Sequence, residues 1–278
     1  MKKERADGEL NTLIAHAGDL LARAEKGVLC SSPFLSMRQA AELCAAFPGD
    51  IGRPAGARAV FYGGYAGAER CMLFFLPEYL TAMLSDVPGR VGFAEWRELL
   101  AAEWDEAVGV LSVRGSGYRV LDHRDYLGSL LSLGIEREVI GDIVVTDEHT
   151  ALVFCARKMV NYLLGEWKTV GADTVKVTET MVPEDFCVEH RFLEIHDTIA
   201  SERLDCMVAA LTNLSREKAQ GLIRAGYVEA DHMPEERVDR AIPPGAVLSI
   251  RTFGRYEIVG LDGQTKKGRW RLSARKFV

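Results

Sequence analysis

The apolar positions of this chain begin at helical spacing. Leu10, Leu13, Ile14, Ala17, Leu20 and Leu21 recur every three or four residues and predict an amphipathic helix. Ser36 stands where an N-cap would open a second helix over Met37–Phe47. Asp50–Ala57 is a Gly/Pro-rich connection, after which Ala59–Tyr62 reads as a strand closed by Gly63-Gly64. Two glycines in a row make either a plain turn or a backbone nest for an anion, and neither Walker nor dinucleotide spacing surrounds this pair.

From Cys71 the period alternates between two and 3.6. Strands are expected at Cys71–Leu76, Ala107–Val113, Ile143–Val145, Ala151–Cys155 and Thr174–Thr178. Helices are expected at Phe93–Ala107, at Arg124–Leu133 with Gly134 as its stop, and at Met159–Trp167. That order suits an RRM-like α/β plait, with helices over one face of a mostly antiparallel sheet. Ala107–Val113 carries no aromatic ring on which a base would stack, so the pattern itself says little for RNA contact by this part.

Beyond Ser201 the pattern is helix, helix, strand, strand. Leu204, Val208 and Leu211 stripe the first helix, and Ala219, Leu222 and Ile223 the second, which opens on Ser215 and stops at Gly226. Tyr227–Glu229 and Val247–Arg251 alternate as strands, with Pro243-Pro244-Gly245 turning the chain before the second. Arg203, Arg216, Lys218 and Arg224 fall off the stripes and are expected to form one outward cationic face; Arg203, Arg216 and Lys218, where exposed, are expected to be replaceable together by alanine at little cost in stability. Arg251 and Arg255 follow on the strands. Asp262-Gly263 is the hairpin signal between Ile258-Val259 and Trp270–Leu272, which sets Lys266, Lys267 and Arg269 at or beside a tip near Arg255. Trp270, among these cations, either stacks on a base or packs on the domain.

The order Arg203-Leu204-Asp205, Leu214-Ser215-Arg216, Leu222-Ile223, Gly226 and Phe253-Gly254-Arg255 resembles the S4 RNA-binding domain. Ala230-Asp231-His232 stands where S4 domains commonly carry Val-Asn-Gly, and Gly245-Ala246 where they carry Gly-Asp; both departures fall in turns. With GGYAGAER at Gly63–Arg70, the run from His123 to Val145, and FGRYEIVGLDGQTKKGRWRL after the S4 segment, nearly the whole chain resembles the YlmH family. The resemblance implies an α+β protein: a helical N-terminal part, a central RRM-like plait and a C-terminal S4 domain of the αL kind. It also implies a bacterial cytoplasmic RNA-binding protein on the large ribosomal subunit, acting in rescue of obstructed peptidyl-tRNA complexes. A genomic link to cell-division genes comes with it.

Length and charge agree with several domains and one nucleic-acid face. The 278 residues suit two or three domains, expected at 1–71, 72–182 and 196–278. The net charge of −6 hides a polarity: residues from His196 onward carry 14 Lys/Arg against 11 Asp/Glu, and the preceding part 20 against 29. There is no apolar run of about 18 residues, and Met1–Leu13 lacks the apolar core of a secretory signal. Six scattered cysteines without metal spacing read as buried free thiols of a reducing cytoplasm.

Catalytic signatures are lacking. His123-Arg124-Asp125 matches a kinase catalytic loop in three letters only, with no DFG and no Gly-rich loop. The histidines are isolated from sequence partners. No catalytic residue, metal or cofactor is expected, and the partners expected are structured RNA (ribosomal, with tRNA as a further candidate) and the large subunit, not a membrane. The alternative class is an RNA-modifying enzyme of the pseudouridine-synthase kind using S4 as an appendage. It would need a catalytic aspartate in a Gly-Arg-x-x-Gln-type setting, which the upstream sequence does not show.

Overall fold

Local chemistry turns directly into structure at Ser36. Its hydroxyl accepts from the Gln39 amide at 3.3 Å, while the Gln39 side chain accepts from the Ser36 amide at 2.9 Å. This capping box satisfies orphan donors at the start of a helix over Met37–Ala46. The computed structural model describes residues 2–51, 58–85, 100–183 and 185–278. It is an α+β protein of two compact units, Met1–Val188 and Glu189–Val278.

In the first unit, helices α1 (Lys2–Glu25) and α2 (Met37–Ala46) cover strands β1 (Cys30–Ser31), β2 (Ala59–Tyr62) and β3 (Met72–Phe75), which pair in the order β1-β3-β2. Ala17, Leu20, Leu43, Leu73 and Phe75 form the core between them. A domain boundary at 71/72 is therefore corrected: β3 hydrogen-bonds to both β1 and β2, and every residue of β3 is buried. Helices α3 (Glu78–Ser85) and α4 (Ala101–Ala107) follow. Residues 93–99 of the expected helix and 52–57 of the connection lie outside the described residues.

The plait runs β4 (Val108–Gly115), α5 (His123–Ser132), β5 (Ile140–Asp147), β6 (Thr150–Ala156), α6 (Val160–Glu166), β7 (Thr169–Val170) and β8 (Asp173–Thr180). Its antiparallel order, β5-β6-β4-β8-β7, is that of a split β-α-β-β-α-β unit with one short strand added. Tyr126, Leu130 and Leu163 from the two helices, with Trp167 just past the second, pack on Leu111, Val113, Val153 and Val175. The opposite sheet face is partly covered as well, because Val108, Phe154 and Ala156 pack with Phe34, Tyr62, Tyr65 and Trp104. Tyr62 and Trp104 stack at 4.0 Å.

The run Gly63–Arg70 joins the two sheets. Asp142 on β5 accepts from Tyr65 Oη at 2.7 Å and from the amides of Glu69 and Arg70 at 2.8 and 3.0 Å. Arg70 in turn donates to the carbonyls of Ile140 and Arg137, both at 2.8 Å. At Gly63-Gly64 the backbone packs closely on its neighbours. A Cβ on Gly64, whose φ is +106°, would lie 2.3 Å from the Phe154 ring, and one on Gly63 would lie 2.4 Å from the Arg70 carbonyl. Glycine is needed here so that backbone and ring can meet.

The second unit packs α7 (Leu204–Thr212) and α8 (Arg216–Arg224) on one face of a six-stranded antiparallel sheet. Its strands are β9 (Phe192–Ile199), β10 (Val228–Ala230), β11 (Met233–Pro234), β12 (Val247–Ile250), β13 (Gly254–Gln264) and β14 (Trp270–Phe277), in the order β11-β10-β12-β13-β14-β9. Asn213 ends α7 in the left-handed region, and Gly226 does so just past α8. Asp231 and His232 both take positive φ between β10 and β11, the requirement of a two-residue I′ hairpin, so the departure from Val-Asn-Gly keeps the turn.

Two expectations change in this unit. A domain starting at 196 would cut β9, which pairs with β14 from Phe192 to Ile199. Asp262-Gly263 is not the hairpin turn: it sits within β13 at a register shift between Leu261 and Gln264, and Gly263 absorbs the extra residue at φ +74°. The turn itself is Thr265–Arg269, closed by Thr265 N donating to Arg269 O at 2.7 Å.

Gly64→Ala is expected to cost about 3 kcal/mol in urea unfolding, from overpacking against Phe154 added to the positive-φ penalty. Gly67→Ala, also at positive φ but with open space around the added carbon, is expected to cost only about 1 kcal/mol. Equal costs would show that backbone strain alone, without the ring contact, explains Gly64.

Candidate nucleic-acid interface

Helix α7 has no side-chain cap, since its N-cap residue is Arg203. Its first amides are satisfied instead by a loop: Leu204 N donates to Arg240 O at 2.8 Å and Asp205 N to Val238 O at 3.0 Å. That loop is clamped by Glu235, which accepts from the Arg237 guanidinium at 3.1 Å and from Arg240 at 2.8 Å. The Arg237 hydrogen bonds hold the Glu235 carboxyl at about 2, against the opposing effect of burial.

Asp205, in the first turn of α7, is completely buried. Its two oxygens accept from Arg203 at 3.1 and 3.2 Å, from Arg216 at 2.9 Å and from Gln220 at 2.7 Å. Burial alone would raise its pKa; the hydrogen bonds from Arg203, Arg216 and Gln220 overcome that and hold the carboxyl well below the usual carboxylate range. Arg216 and Gln220 pin α8 to the start of α7, and the Arg203 and Arg216 guanidiniums keep part of their surface in solvent, with side-chain exposures of 39% and 52%. A planar guanidinium fixed on one edge and open on the other is ready to meet a phosphate.

The four helix cations do not form a single face. Arg216, Gln220 and Arg224 follow one another at four-residue steps and share a ridge of α8. Lys218 is two residues from Arg216, about 200° round the helix, on the other side of the buried stripe. The expectation that Arg203 and Arg216 are replaceable at little cost is also corrected, because their removal strands a buried charge.

The remaining candidate cations spread over the unit. Arg251 lies over the Tyr227 ring at 4.9 Å, and Arg255 over the Phe277 ring at 4.1 Å. Both follow the strand parity of Ser249, opposite the core-facing Leu248 and Ile250, so they lie on the sheet face away from the helices. Lys266 and Lys267 are exposed in the β13–β14 turn. Arg269 is engaged, donating to Thr198 Oγ1 at 3.0 Å and to the Thr198 carbonyl. Trp270 packs on the core of the unit.

Sequence reading missed two residues of this site. Asp205 passed as part of a motif, although its spacing to Arg203 and the Arg216–Gln220 step were available signals. Arg275, which lies over Phe192 at 4.3 Å and pairs with Glu257 at 2.8 Å, alternates with Phe277 in β14 and was readable from period two.

Stability of this unit is expected to fall with acid. Asp205 and Glu235 both have depressed folded pKa values, so each contributes stability above its unfolded value of about 4 and loses it as pH falls through the folded value. Asp205→Asn is expected to cost about 3 kcal/mol at pH 7 and to flatten the acid dependence below about pH 4. Urea titrations from neutral to acid pH measure both; an unflattened acid limb would place the dependence elsewhere.

Comparison with known proteins then bears on this arrangement. A family model described as a putative RNA-binding domain in YlmH matches residues 110–184, which cover most of the plait. The ribosome-associated protein quality control protein P2 of Bacillus subtilis is 32% identical over 214 residues, 77% of this chain and 76% of that protein. The solved cell division protein YlmH from Streptococcus pneumoniae covers 62% of this chain and 91% of its own at 15% identity and a TM-score of 0.43, a distant likeness. Identity of that extent to the Bacillus protein, together with the match across the plait, means that the chain belongs to the YlmH family.

Proposed function

We propose that this protein is a non-catalytic RNA-binding factor of the bacterial cytoplasm that engages ribosomal RNA on the large subunit. Its task is quality control of obstructed peptidyl-tRNA complexes. The observation that carries the reading is the pair Arg203 and Arg216, held on the buried Asp205 with their outer edges in solvent. The name of the Bacillus relative, a ribosome-associated quality control protein, and the RNA-binding description of the family model support it.

Mechanistically, the buried carboxylate keeps two guanidiniums in place before RNA arrives, so little side-chain entropy is lost on binding. Arg224 extends this ridge by two turns, and Lys266 and Lys267 add charge at the hairpin tip. The net acidic charge of the preceding part disfavours RNA there, which directs a polyanion to the basic end.

The test uses exposed cations that do not touch Asp205. The triple variant Arg224→Ala, Lys266→Ala, Lys267→Ala is expected to stay folded and to lower the magnitude of the log-log salt slope for ribosomal RNA binding by about two to three. Co-sedimentation with large subunits at two salt concentrations should weaken in parallel. An unchanged slope in a folded variant rejects the surface. Stoichiometric base modification of ribosomal RNA by the purified protein, read by mass spectrometry, rejects the non-catalytic assignment.

A further inference from the structure

The sheet face of the second unit that points away from its helices carries chemistry that phosphate gripping does not use. Strand register places Tyr227, Glu229, Ser249, Arg251 and Arg255 on that face, and it continues through Phe277 to Phe192 on β9. Three arginines lie over three aromatic rings there: Arg251 on Tyr227, Arg255 on Phe277 and Arg275 on Phe192, at 4.9, 4.1 and 4.3 Å. At one end the face deepens into a cleft of about 760 Å³ between the end of α8 and the β12–β13 turn, lined by Tyr227, Glu229, Ser249, Arg251, Phe253 and Lys276.

The backbone around the cleft is shaped for it. Thr252, a β-branched residue, holds φ at +72°, and Gly226 and Gly254 on either side of it take +70° and +117°. Arg251 N donates to Tyr227 O at 2.9 Å, fixing the turn against the ring. Tyr227 is nonetheless 42% exposed.

We infer that this cleft accepts an unpaired nucleotide of RNA. The Tyr227 ring and the Arg251 guanidinium plane give stacking surfaces for a base. Ser249 offers a hydroxyl to the base edge, and Arg251 and Lys276 offer cations to the flanking phosphates. The volume lies within the range of small-ligand sites. A base held in a duplex cannot enter such a recess, so the cleft selects single-stranded or extruded nucleotides. The polyanionic occupant fits the charge of the segment, since Arg251–Val278 holds 8 Lys/Arg against 2 Asp/Glu. The Arg255–Phe277 pair continues the path along the sheet for the next nucleotides. The inference rests on the RNA-binding reading and adds the state of RNA that it selects.

The experiment compares full-length wild type, Tyr227→Ala and Tyr227→Phe by fluorescence anisotropy on two probes. One is an oligouridylate of about 12 nucleotides, the other a blunt RNA duplex. Tyr227→Ala is expected to lose about tenfold in affinity for the single strand while duplex affinity stays within about twofold, as expected for one lost base–aromatic stack. Tyr227→Phe, which keeps the ring, is expected to bind both as wild type does. Should Tyr227→Ala unfold by circular dichroism, Ser249→Tyr, which fills the cleft, replaces it with the same expected loss. Unchanged single-strand affinity in the folded variant, or equal losses on both probes, overturns the cleft and leaves the RNA-binding reading standing. Wild-type protein that does not bind the single strand also overturns the cleft, and wild-type protein that in addition binds no ribosomal RNA overturns both.

Discussion

One buried carboxylate organises the C-terminal unit. A charged Asp205 with no exposed surface would be prohibitively costly in an apolar core, and it exists only because Arg203, Arg216 and Gln220 complete its hydrogen bonds. The constraint runs outward from there. It fixes α8 on the start of α7, and it selects which edge of each guanidinium meets solvent. Fold and candidate interface therefore depend on the same four side chains, and no substitution among them acts on binding alone.

The first unit is arranged on a different principle. Its plait has the β-α-β-β-α-β order in which a helix-free sheet face often meets RNA, yet much of that face is covered by Phe34, Tyr62, Tyr65 and Trp104. The covering module is locked on by Asp142 and Arg70, with Gly63-Gly64 shaped to let Phe154 approach. What stays open lies toward the far end of the sheet, where Arg114 and Lys176 are exposed and paired in register. The RNA-binding description of the matched family model falls on this plait, and the covered half confines any sheet-face contact to that end.

Much of the fold was legible from residue pattern. Ser36, Ser215, Gly134 and Gly226 mark helix ends by chemistry that acts within a few residues, and the structure uses each of them that way. Strands β2, β3, β4, β6, β8 and β12 carry enough consecutive or alternating apolar residues to be placed within a few positions. Strand β9 was not legible. It is an edge strand with one fully buried residue, Ile199, and its partner β14 lies some seventy residues later. Asp262-Gly263 misled because a bulge and a hairpin ask for the same left-handed glycine.

The sequence by itself determined the class of the protein, the local caps, the basic character of its end and the residues from which an interface would be drawn. It does so because propensity, period and net charge are sums over neighbours in the chain. The tertiary structure alone decided how those residues are used. Arg269 is taken up by Thr198, Arg251 and Arg255 turn to the face away from the helices, and Lys218 falls on the opposite side of α8 from Arg216. Arg203 and Arg216 come to share one carboxylate although they are thirteen positions apart. Which cation is spent on the fold and which is left for a partner depends on strand register and helix docking, and those are set by burial contacts between residues distant in sequence.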